Sequence, residues 1–256
     1  MTAFEAIILG IIEGVTEFLP ISSTGHLILV SHLLNIPNSD FLKSFEIVIQ
    51  LGAICAVVLL YWRSFLSFPI VTRLLIGFLP TAIIGFTLYP LVKGYLLGNI
   101  KVVVTALALG GLFLIIFELL HKEKDGSKQT ISEITYKQAF LIGIFQSIAI
   151  IPGISRSAAT IIGGLLVGLK RVTIVEFSFL LAVPTMTAAT GYDILKNYSI
   201  FSTETTLLLI LGFVTAFIVA LLVITSLLKF IKKHTFIPFG IYRIVLASVF
   251  FLVFLL

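Results

Sequence analysis

The chain has 256 residues, of which 59% are hydrophobic and only 11% are charged, and its mean hydropathy is +1.19. A soluble domain carries roughly 25% charged residues, so the composition excludes a soluble globular protein and predicts an all-α integral membrane protein. The net charge of +5 does not indicate a nucleic-acid partner, because the basic residues cluster at the ends of apolar stretches, where they report membrane topology.

The first predicted element, about 5–34, is a re-entrant hairpin. It has only 29 residues from Ala6 to Leu34, whereas two full spans need about 40. Its centre is the run 20–25, which contains a proline and a glycine, and such irregular backbone does not remain unpaired against lipid. We therefore predict two short helical arms that enter and leave on one side of the membrane. The alternative is one long, kinked helix that crosses it.

The second half of the chain repeats the first. The stretch Ala139–Ile161 aligns without a gap with Ala6–Ile28 at a constant offset of 133 positions, which predicts a second hairpin at about 139–168. Each hairpin is followed by three predicted transmembrane helices. These lie at about 42–62, 74–92, 100–120, 174–195, 205–230 and 236–256. We predict a single membrane domain, 1–256, made of repeat halves at about 5–121 and 139–256 and a cytoplasmic loop at about 121–137.

Basic residues indicate how these elements are oriented. If both hairpins return to their own side and the 121–137 loop is cytoplasmic, every basic cluster falls on the cytoplasmic face, as the positive-inside rule requires. Outside that loop the residues are Arg63, Arg73, Lys170, Arg171, Lys229, Lys232 and Lys233. The first hairpin then enters from outside and the second from inside. This is an inverted-topology repeat in which two broken helices meet near the middle of the membrane.

Two carboxylates lie in the first arm. Glu13 and Glu17 are four residues apart and therefore share one helix face. An ionised carboxylate in hydrocarbon is costly, so such residues usually face a cavity and a partner. Two acids this close repel unless a cation or a shared proton intervenes. The alternative is a structural pair that hydroxyls or a basic residue neutralise.

The first break continues into hydroxyls and a histidine. Ser22, Ser23 and Thr24 precede His26, whose side chain titrates near neutral pH. A histidine three residues after a serine at a helix start is placed to act as general base for that hydroxyl or for a water. For Ser22 or Thr24 alone, capping of the following helix explains the hydroxyl equally well.

The second break, 152–160, carries an arginine among hydroxyls. The fork of donors on Arg156 suits a phosphate or a carboxylate. Gly153 permits a tight turn, and the free backbone N–H groups at the next helix start favour an anion. Neutralisation of the first hairpin's carboxylates is the other role for Arg156, and the two are compatible because a resting ion pair can open to substrate. The hydroxyls predicted to contact the phosphate are Ser155, Ser157 and Thr160.

Polar residues elsewhere in the apolar stretches carry a weaker signal. Glu46 and Gln50 either line the cavity near the breaks or form hydrogen bonds between helices. Asp193 and Glu118 fall near span ends, where we expect them to be solvated.

The sequence closely resembles one family. The motifs EGVTEFLPISSTGH, from Glu13 to His26, and PGISRSAAT, from Pro152 to Thr160, resemble those of the bacterial undecaprenyl-diphosphate phosphatase family associated with bacitracin resistance. The resemblance also covers 45–63, 176–184 and 236–244, and so extends over essentially the whole chain. It implies an enzyme that hydrolyses the lipid carrier diphosphate to its monophosphate and inorganic phosphate, which recycles the carrier for peptidoglycan synthesis.

The resemblance also implies the roles of the site residues. The catalytic set comprises Glu13, Glu17, Ser23, His26 and Arg156. The residues expected to bind substrate around it are Ser22, Thr24, Gly153, Ser155, Ser157 and Thr160. The attacking group is either Ser23 or a water. Glu13 and Glu17 either hold a divalent cation, Mg²⁺ or Ca²⁺, that bridges the diphosphate, or tune His26 and Arg156. No organic cofactor is expected.

The expected partners are the isoprenoid lipid diphosphate and the bilayer. The family resemblance implies a multi-pass protein of the bacterial plasma membrane whose site opens to the outer side. The Gly110-Gly111 and Gly163-Gly164 pairs suit close helix packing either within one protomer or across a homodimer. The alternative function is a transporter, because inverted repeats with broken helices are also typical of transporters, and a buried carboxylate pair suits a proton relay.

Overall fold

The computed structural model of the chain describes residues 1–97, 99–121, 130–198 and 203–254, and the described residues form helices and their connections without a β-strand. The α-helices are α1 (Ala3–Thr16), α2 (Ser23–Leu33), α3 (Asp40–Leu60), α4 (Phe68–Leu91), α5 (Ile100–Leu120), α6 (Tyr136–Ile148), α7 (Arg156–Leu166), α8 (Arg171–Asn197), α9 (Thr203–Ile231) and α10 (Ile237–Phe254). Short 3₁₀ turns lie at Trp62–Leu66 and Ile131–Glu133, and a π-helical turn, Val92–Leu96, follows α4.

The two kinds of predicted element are both present. Among the described residues, six helices are long and apolar enough to cross a membrane, namely α3, α4, α5, α8, α9 and α10. The hairpin arms α1, α2, α6 and α7 are shorter, with 14, 11, 13 and 11 residues. The prediction of an all-α membrane protein is confirmed, and a hairpin followed by three long helices recurs in each half. This order fits the inverted repeat, while the opposite orientation of the halves stays a prediction.

Several helix ends differ from the predicted ones, and the starts of α4 and α6 are two examples. Helix α4, predicted from about 74, begins at Phe68, because Pro69 in its first turn favours a helix start. Helix α6 begins at Tyr136, inside the loop predicted at about 121–137. The centre of that loop, 122–129, lies outside the described residues, and so does 199–202 between α8 and α9.

The repeat extends to the caps of the hairpins. At the start of α1, Thr2 and Glu5 form a capping box in which each side chain accepts a hydrogen bond from the other's backbone N–H, at 3.2 and 2.7 Å. Thr135 and Gln138 do the same at the start of α6, at 3.2 and 2.9 Å. Both first arms therefore begin at equivalent positions.

Helices of one half pack on helices of the other. Helix α1 lies against α9, α3 against α8 and α9, α4 against α6, and α5 against α10. One apolar core therefore contains residues of both halves, from Phe18 and Ala53 to Phe177 and Ile224. The second arms, α2 and α7, are largely buried in this bundle, whereas α1 and α6 each keep an exposed apolar face. This packing brings the two breaks together.

The glycine pairs are used within the protomer. A Cβ added at Gly111 would lie 2.7 Å from the carbonyl oxygen of Gly240 in α10, and one added at Gly164 would overlap the side chain of Ile174 in α8. Both helix contacts are internal, so these glycines no longer support a homodimer. The homodimer itself stays a prediction.

Two acidic residues that we expected to be solvated are buried. Asp193 is fully buried and forms an ion pair with Lys93, at 2.5 Å between Oδ1 and Nζ. Glu118 forms an ion pair with Arg171 at 2.7 Å. The expectation was wrong because a position near a helix end is not exposed when a neighbouring helix covers it.

Candidate active site

Each break ends in a serine with an unusual backbone conformation. Ser22 has a φ of 71° and Ser155, its repeat equivalent, has a φ of 80°. Each serine caps the following helix, because its Oγ accepts a hydrogen bond from the N–H of Gly25 at 3.3 Å or of Ala158 at 3.2 Å. A positive φ is uncommon in residues other than glycine. Its occurrence at both equivalent serines shows that the two halves contain the same turn. The turns bring the N-termini of α2 and α7 to a shared cleft.

The cleft between the breaks is small and polar. Its volume is about 60 Å³, and its wall contains charged and hydroxyl side chains from both hairpins. These are Glu17, Ser22, Ser23, Thr24, Ser155 and Arg156. The other residues of the wall are Ala149, Ile151, Pro152, Gly153 and Met186. The sequence-predicted cluster of hydroxyls and arginine is therefore assembled from positions far apart in the chain.

Glu17 connects a hydroxyl to a cation in this cleft. Its Oε2 accepts a hydrogen bond of 2.5 Å from the Ser23 hydroxyl, and its Oε1 forms an ion pair of 2.8 Å with Nη2 of Arg156. The other terminal nitrogen of Arg156 donates to the carbonyl oxygen of Ser178 at 2.6 Å. All these side chains are buried. A hydroxyl with a carboxylate acceptor beside a guanidinium is an arrangement suited to attack on a phosphoryl group.

A larger cavity adjoins the cleft and shares Thr24, Pro152 and Arg156 with it. It has a volume of about 510 Å³, lies among α3, α4, α8 and the hairpins, and has a largely apolar wall. Glu46 and Gln50 both line it, and both also form hydrogen bonds between elements. The two roles that the sequence left open for this pair are therefore combined.

The family model described as Bacitracin resistance protein BacA matches residues 6–249. The chain belongs to this family. It is 58% identical over 252 residues to a protein of Sulfurihydrogenibium sp. (strain YO3AOP1) named undecaprenyl-diphosphatase, and the match covers 98% of this chain and 99% of that relative. A protein of the same name from Aquifex aeolicus (strain VF5) is 53% identical, and the match covers 98% of this chain and 98% of that relative. Another, from Persephonella marina (strain DSM 14350 / EX-H1), is 54% identical, and the match covers 98% of this chain and 99% of that relative.

The histidine of the BacA-family motif forms its hydrogen bonds with groups other than the predicted nucleophile. The Nδ1 of His26 lies 2.7 Å from the carbonyl oxygen of Ser22, and its Nε2 lies 2.8 Å from the hydroxyl of Tyr242. Both ring nitrogens are therefore engaged, and Ser23 donates to Glu17 instead. A base role for His26 would require its imidazole to turn toward the cleft, and the role stays a prediction.

Glu13 is fully buried, and neither of its carboxylate oxygens has a hydrogen-bond partner among the described residues. Its repeat equivalent, Gln146, donates to the hydroxyls of Thr81 and Thr185 at 2.9 and 3.0 Å. An unpartnered buried carboxylate is costly, which fits the predicted cation. No group of three or more histidine, cysteine, aspartate or glutamate residues that would hold a metal occurs within the described ranges.

Two residues that we predicted to bind substrate, Ser157 and Thr160, form hydrogen bonds beside the cleft, and their role in substrate binding stays a prediction. Ser157 is buried and donates to the carbonyl oxygen of Phe18 at 2.9 Å, which ties the two hairpins together. Thr160 is fully buried, and its hydroxyl lies 2.6 Å from the hydroxyl of Ser178. Neither side chain lines the cleft. Thr160 lies one turn beyond Arg156 on the same face of α7, and its hydroxyl also donates to the Arg156 carbonyl oxygen at 3.0 Å.

Arg243 is a residue that our reading of the sequence missed. It is 1% exposed in α10, and its guanidinium donates to carbonyl oxygens of both breaks. Nη1 donates to Pro20 at 3.3 Å and to Ile154 at 3.0 Å, and Nη2 to Gly153 at 2.9 Å and to Ala106 of α5 at 3.1 Å. Arg243 therefore holds the two turns against each other. A lone arginine in an otherwise apolar helix was the available signal.

Proposed function

We propose that this protein is an undecaprenyl-diphosphatase, which hydrolyses the lipid carrier diphosphate to its monophosphate and inorganic phosphate. The names of its relatives support this function. One structural observation carries it, namely that Glu17 joins the Ser23 hydroxyl and the Arg156 guanidinium in a single buried cleft. This combination provides an attacking group, a proton acceptor and an anion clamp.

The cleft and the cavity suit the two parts of the substrate. The small polar cleft takes the terminal phosphoryl group, which the N–H groups at the starts of α2 and α7 and the Arg156 guanidinium stabilise. The adjoining apolar cavity of about 510 Å³ takes the first isoprene units of the chain. The rest of the tail remains in the bilayer, since apolar surface gains nothing by leaving lipid for protein.

Arg156 exchanges partners when substrate binds. Its Nη2 leaves Glu17 and pairs with the terminal phosphoryl group, while Nη1 stays on the Ser178 carbonyl and fixes the guanidinium. Glu17 is then free to accept the proton of the Ser23 hydroxyl, which it already contacts. Phosphoryl transfer depends mainly on positioning and on stabilisation of charge, and this arrangement supplies both.

Two routes lead to products from this arrangement. In the covalent route, Ser23 Oγ attacks the terminal phosphorus, the bond to the bridging oxygen breaks, the lipid monophosphate leaves, and water then cleaves the phosphoserine. In the direct route, a water held by Ser23 attacks the terminal phosphorus, its proton goes to Glu17, and the bond to the bridging oxygen breaks in the same step, which releases the lipid monophosphate and inorganic phosphate. His26 positions the turn through the Ser22 carbonyl in either route.

We also propose a divalent cation, Mg²⁺ or Ca²⁺, next to the cleft, which Glu13 itself does not line. Glu13 would hold it, because its carboxylate is buried and unpartnered, whereas Glu17 already has Ser23 and Arg156. Such an ion neutralises charge on a diphosphate and commonly needs only one or two protein carboxylates beside the phosphates.

Charge placement supports the cellular assignment. With both hairpins re-entrant, the basic clusters share one face, which supports an outward-facing first hairpin. The proposed site therefore opens to the outer side of a bacterial plasma membrane. Hydrolysis there recycles the carrier for peptidoglycan synthesis. It also confers bacitracin resistance, the property for which the family is named.

The test is phosphate release from undecaprenyl diphosphate by purified protein in detergent, with and without a chelator. Ser23→Ala and Glu17→Gln should each lower kcat by about 100-fold or more, while Ser226→Ala, an exposed serine in α9, should match the wild type. Turnover by Ser23→Ala at the wild-type rate would exclude the covalent route. Absence of release by the folded wild type with added Mg²⁺ would refute the phosphatase and favour the transporter, which vesicle flux then tests.

A further inference from the structure

The large cavity contains a second basic side chain at the end remote from Arg156. Lys93 lies in the π-helical turn Val92–Leu96 and lines the cavity together with Tyr89. The wall that α4 contributes runs from Thr81, beside the second hairpin, to Lys93, which is roughly 18 Å at about 1.5 Å per residue. One apolar cavity therefore has a cation at each end.

Lys93 is held in place by a buried carboxylate. Its Nζ lies 2.5 Å from Oδ1 of Asp193 and 3.3 Å from the hydroxyl of Ser44. The same Oδ1 accepts a hydrogen bond of 2.7 Å from Tyr89 and one of 3.0 Å from Asn197. The Asp193 side chain is fully buried, whereas that of Lys93 retains 13% exposure. The ammonium is thus the accessible member of the pair.

The hydrogen bonds are arranged so that Lys93 can leave. All the donors converge on Oδ1 of Asp193, and Oδ2 has no hydrogen-bond partner among the described residues. If Lys93 swings away, the carboxylate keeps the Tyr89 hydroxyl and the Asn197 amide. A lysine is suited to such movement, because its compact charge lies on a flexible stem of four carbons. These two donors offset part of the cost of leaving the buried carboxylate without its ammonium partner.

We propose that Lys93 binds a phosphate group at the outer end of the cavity, at a position distinct from the catalytic cleft. The group is either the headgroup of the incoming lipid or the phosphate released by hydrolysis, so the proposal rests on the proposed function. A phosphate anion that enters a largely apolar cavity loses its hydration, and a cation there offsets this cost. Because Thr81 and Lys93 are roughly 18 Å apart along the α4 wall of the cavity, we infer that the anion occupies the Lys93 and Arg156 positions in turn.

The experiment measures binding directly with two probes. Inorganic phosphate represents the product, and a farnesyl methylenediphosphonate, which cannot be hydrolysed at the bridging position, represents the lipid headgroup. The dissociation constant of each is measured by titration of purified wild type, Lys93→Met, Lys93→Arg, Asp193→Asn and the double variant Lys93→Met/Asp193→Asn. Lys101→Met, at an exposed lysine in the first turn of α5, is the matched control.

Lys93→Met should raise the Kd of at least one probe by about tenfold or more, as expected for loss of one charged hydrogen bond. Lys93→Arg and Lys101→Met should stay near the wild type. Asp193→Asn should bind as tightly or more tightly, because it frees the ammonium, and the double variant should remain weak. An effect confined to inorganic phosphate identifies a product site, and one confined to the diphosphonate identifies a headgroup site.

Two results would overturn the proposal. The first is a Kd for both probes that Lys93→Met leaves unchanged. The second is that both single variants weaken binding while the double variant restores it, since this pattern means that the ion pair is structural. If Lys93→Met does not fold, the Asp193→Asn result decides, and weaker binding there counts against the site. Because binding is measured without turnover, failure to hydrolyse substrate would refute the proposed function and leave this test intact.

Discussion

Arg243→Met tests whether one side chain of α10 holds the two breaks together. The substitution removes four hydrogen bonds of 2.9–3.3 Å to main-chain carbonyl oxygens and keeps a side chain of similar length. At about 1 kcal/mol net for each bond, the loss is about 4 kcal/mol. Removal of a buried charge and burial of the methionine recover about 1 kcal/mol. We therefore expect the free energy of unfolding to fall by about 3 kcal/mol.

The assay is equilibrium unfolding in mixed detergent micelles, with phosphate release measured on the fraction that remains folded. Arg63→Met, at an exposed arginine, controls for the loss of a positive charge and should change stability by less than about 0.5 kcal/mol. The folded Arg243→Met protein should also lose at least about tenfold in kcat, because misplacement of the turns by about 1 Å is costly for catalysis. Equal stability of the two variants would refute the role assigned to Arg243.

Three further predictions concern the cleft. Gly153→Ala should lower the melting temperature more than Gly168→Ala in thermal unfolding. Both glycines have a positive φ, but only at position 153 would the new Cβ meet other atoms, namely atoms of α5 at 2.8 Å. Equal losses of melting temperature would contradict this steric reason. Ser178→Ala should lower kcat/KM by less than tenfold, since Arg156 keeps its hydrogen bond to the carbonyl oxygen of residue 178. If kcat/KM falls as far as it does in Arg156→Gln, the Ser178 hydroxyl itself contributes to catalysis. Glu13→Gln should remove any stimulation of phosphate release by Mg²⁺, and full stimulation of that variant would place the cation elsewhere.

Local features of the sequence were sufficient to predict the architecture. The length of the apolar stretches predicted the long helices, because a bilayer requires about 20 apolar residues per span. The constant offset between the two copies predicted the second hairpin from the first. The same offset relates Ser22 to Ser155, and the structure shows the same positive φ at both positions. The sequence also predicted that the hydroxyls, a carboxylate and the arginine at the breaks form one cluster. Such polar groups are costly to bury in lipid unless they contact one another.

The tertiary structure decided which of those polar groups meet. No local pattern shows that Ser23 contacts Glu17 while His26 turns to Tyr242, because the contact with Tyr242 joins positions more than 200 residues apart. The ion pair between Lys93 and Asp193 could not be predicted from a local pattern either, because the two residues are 100 positions apart. The sequence by itself determined which stretches are helical and where the two hairpins break, since these depend on neighbouring residues. Partners of buried polar groups depend on how whole helices pack, and that is a property of the complete fold.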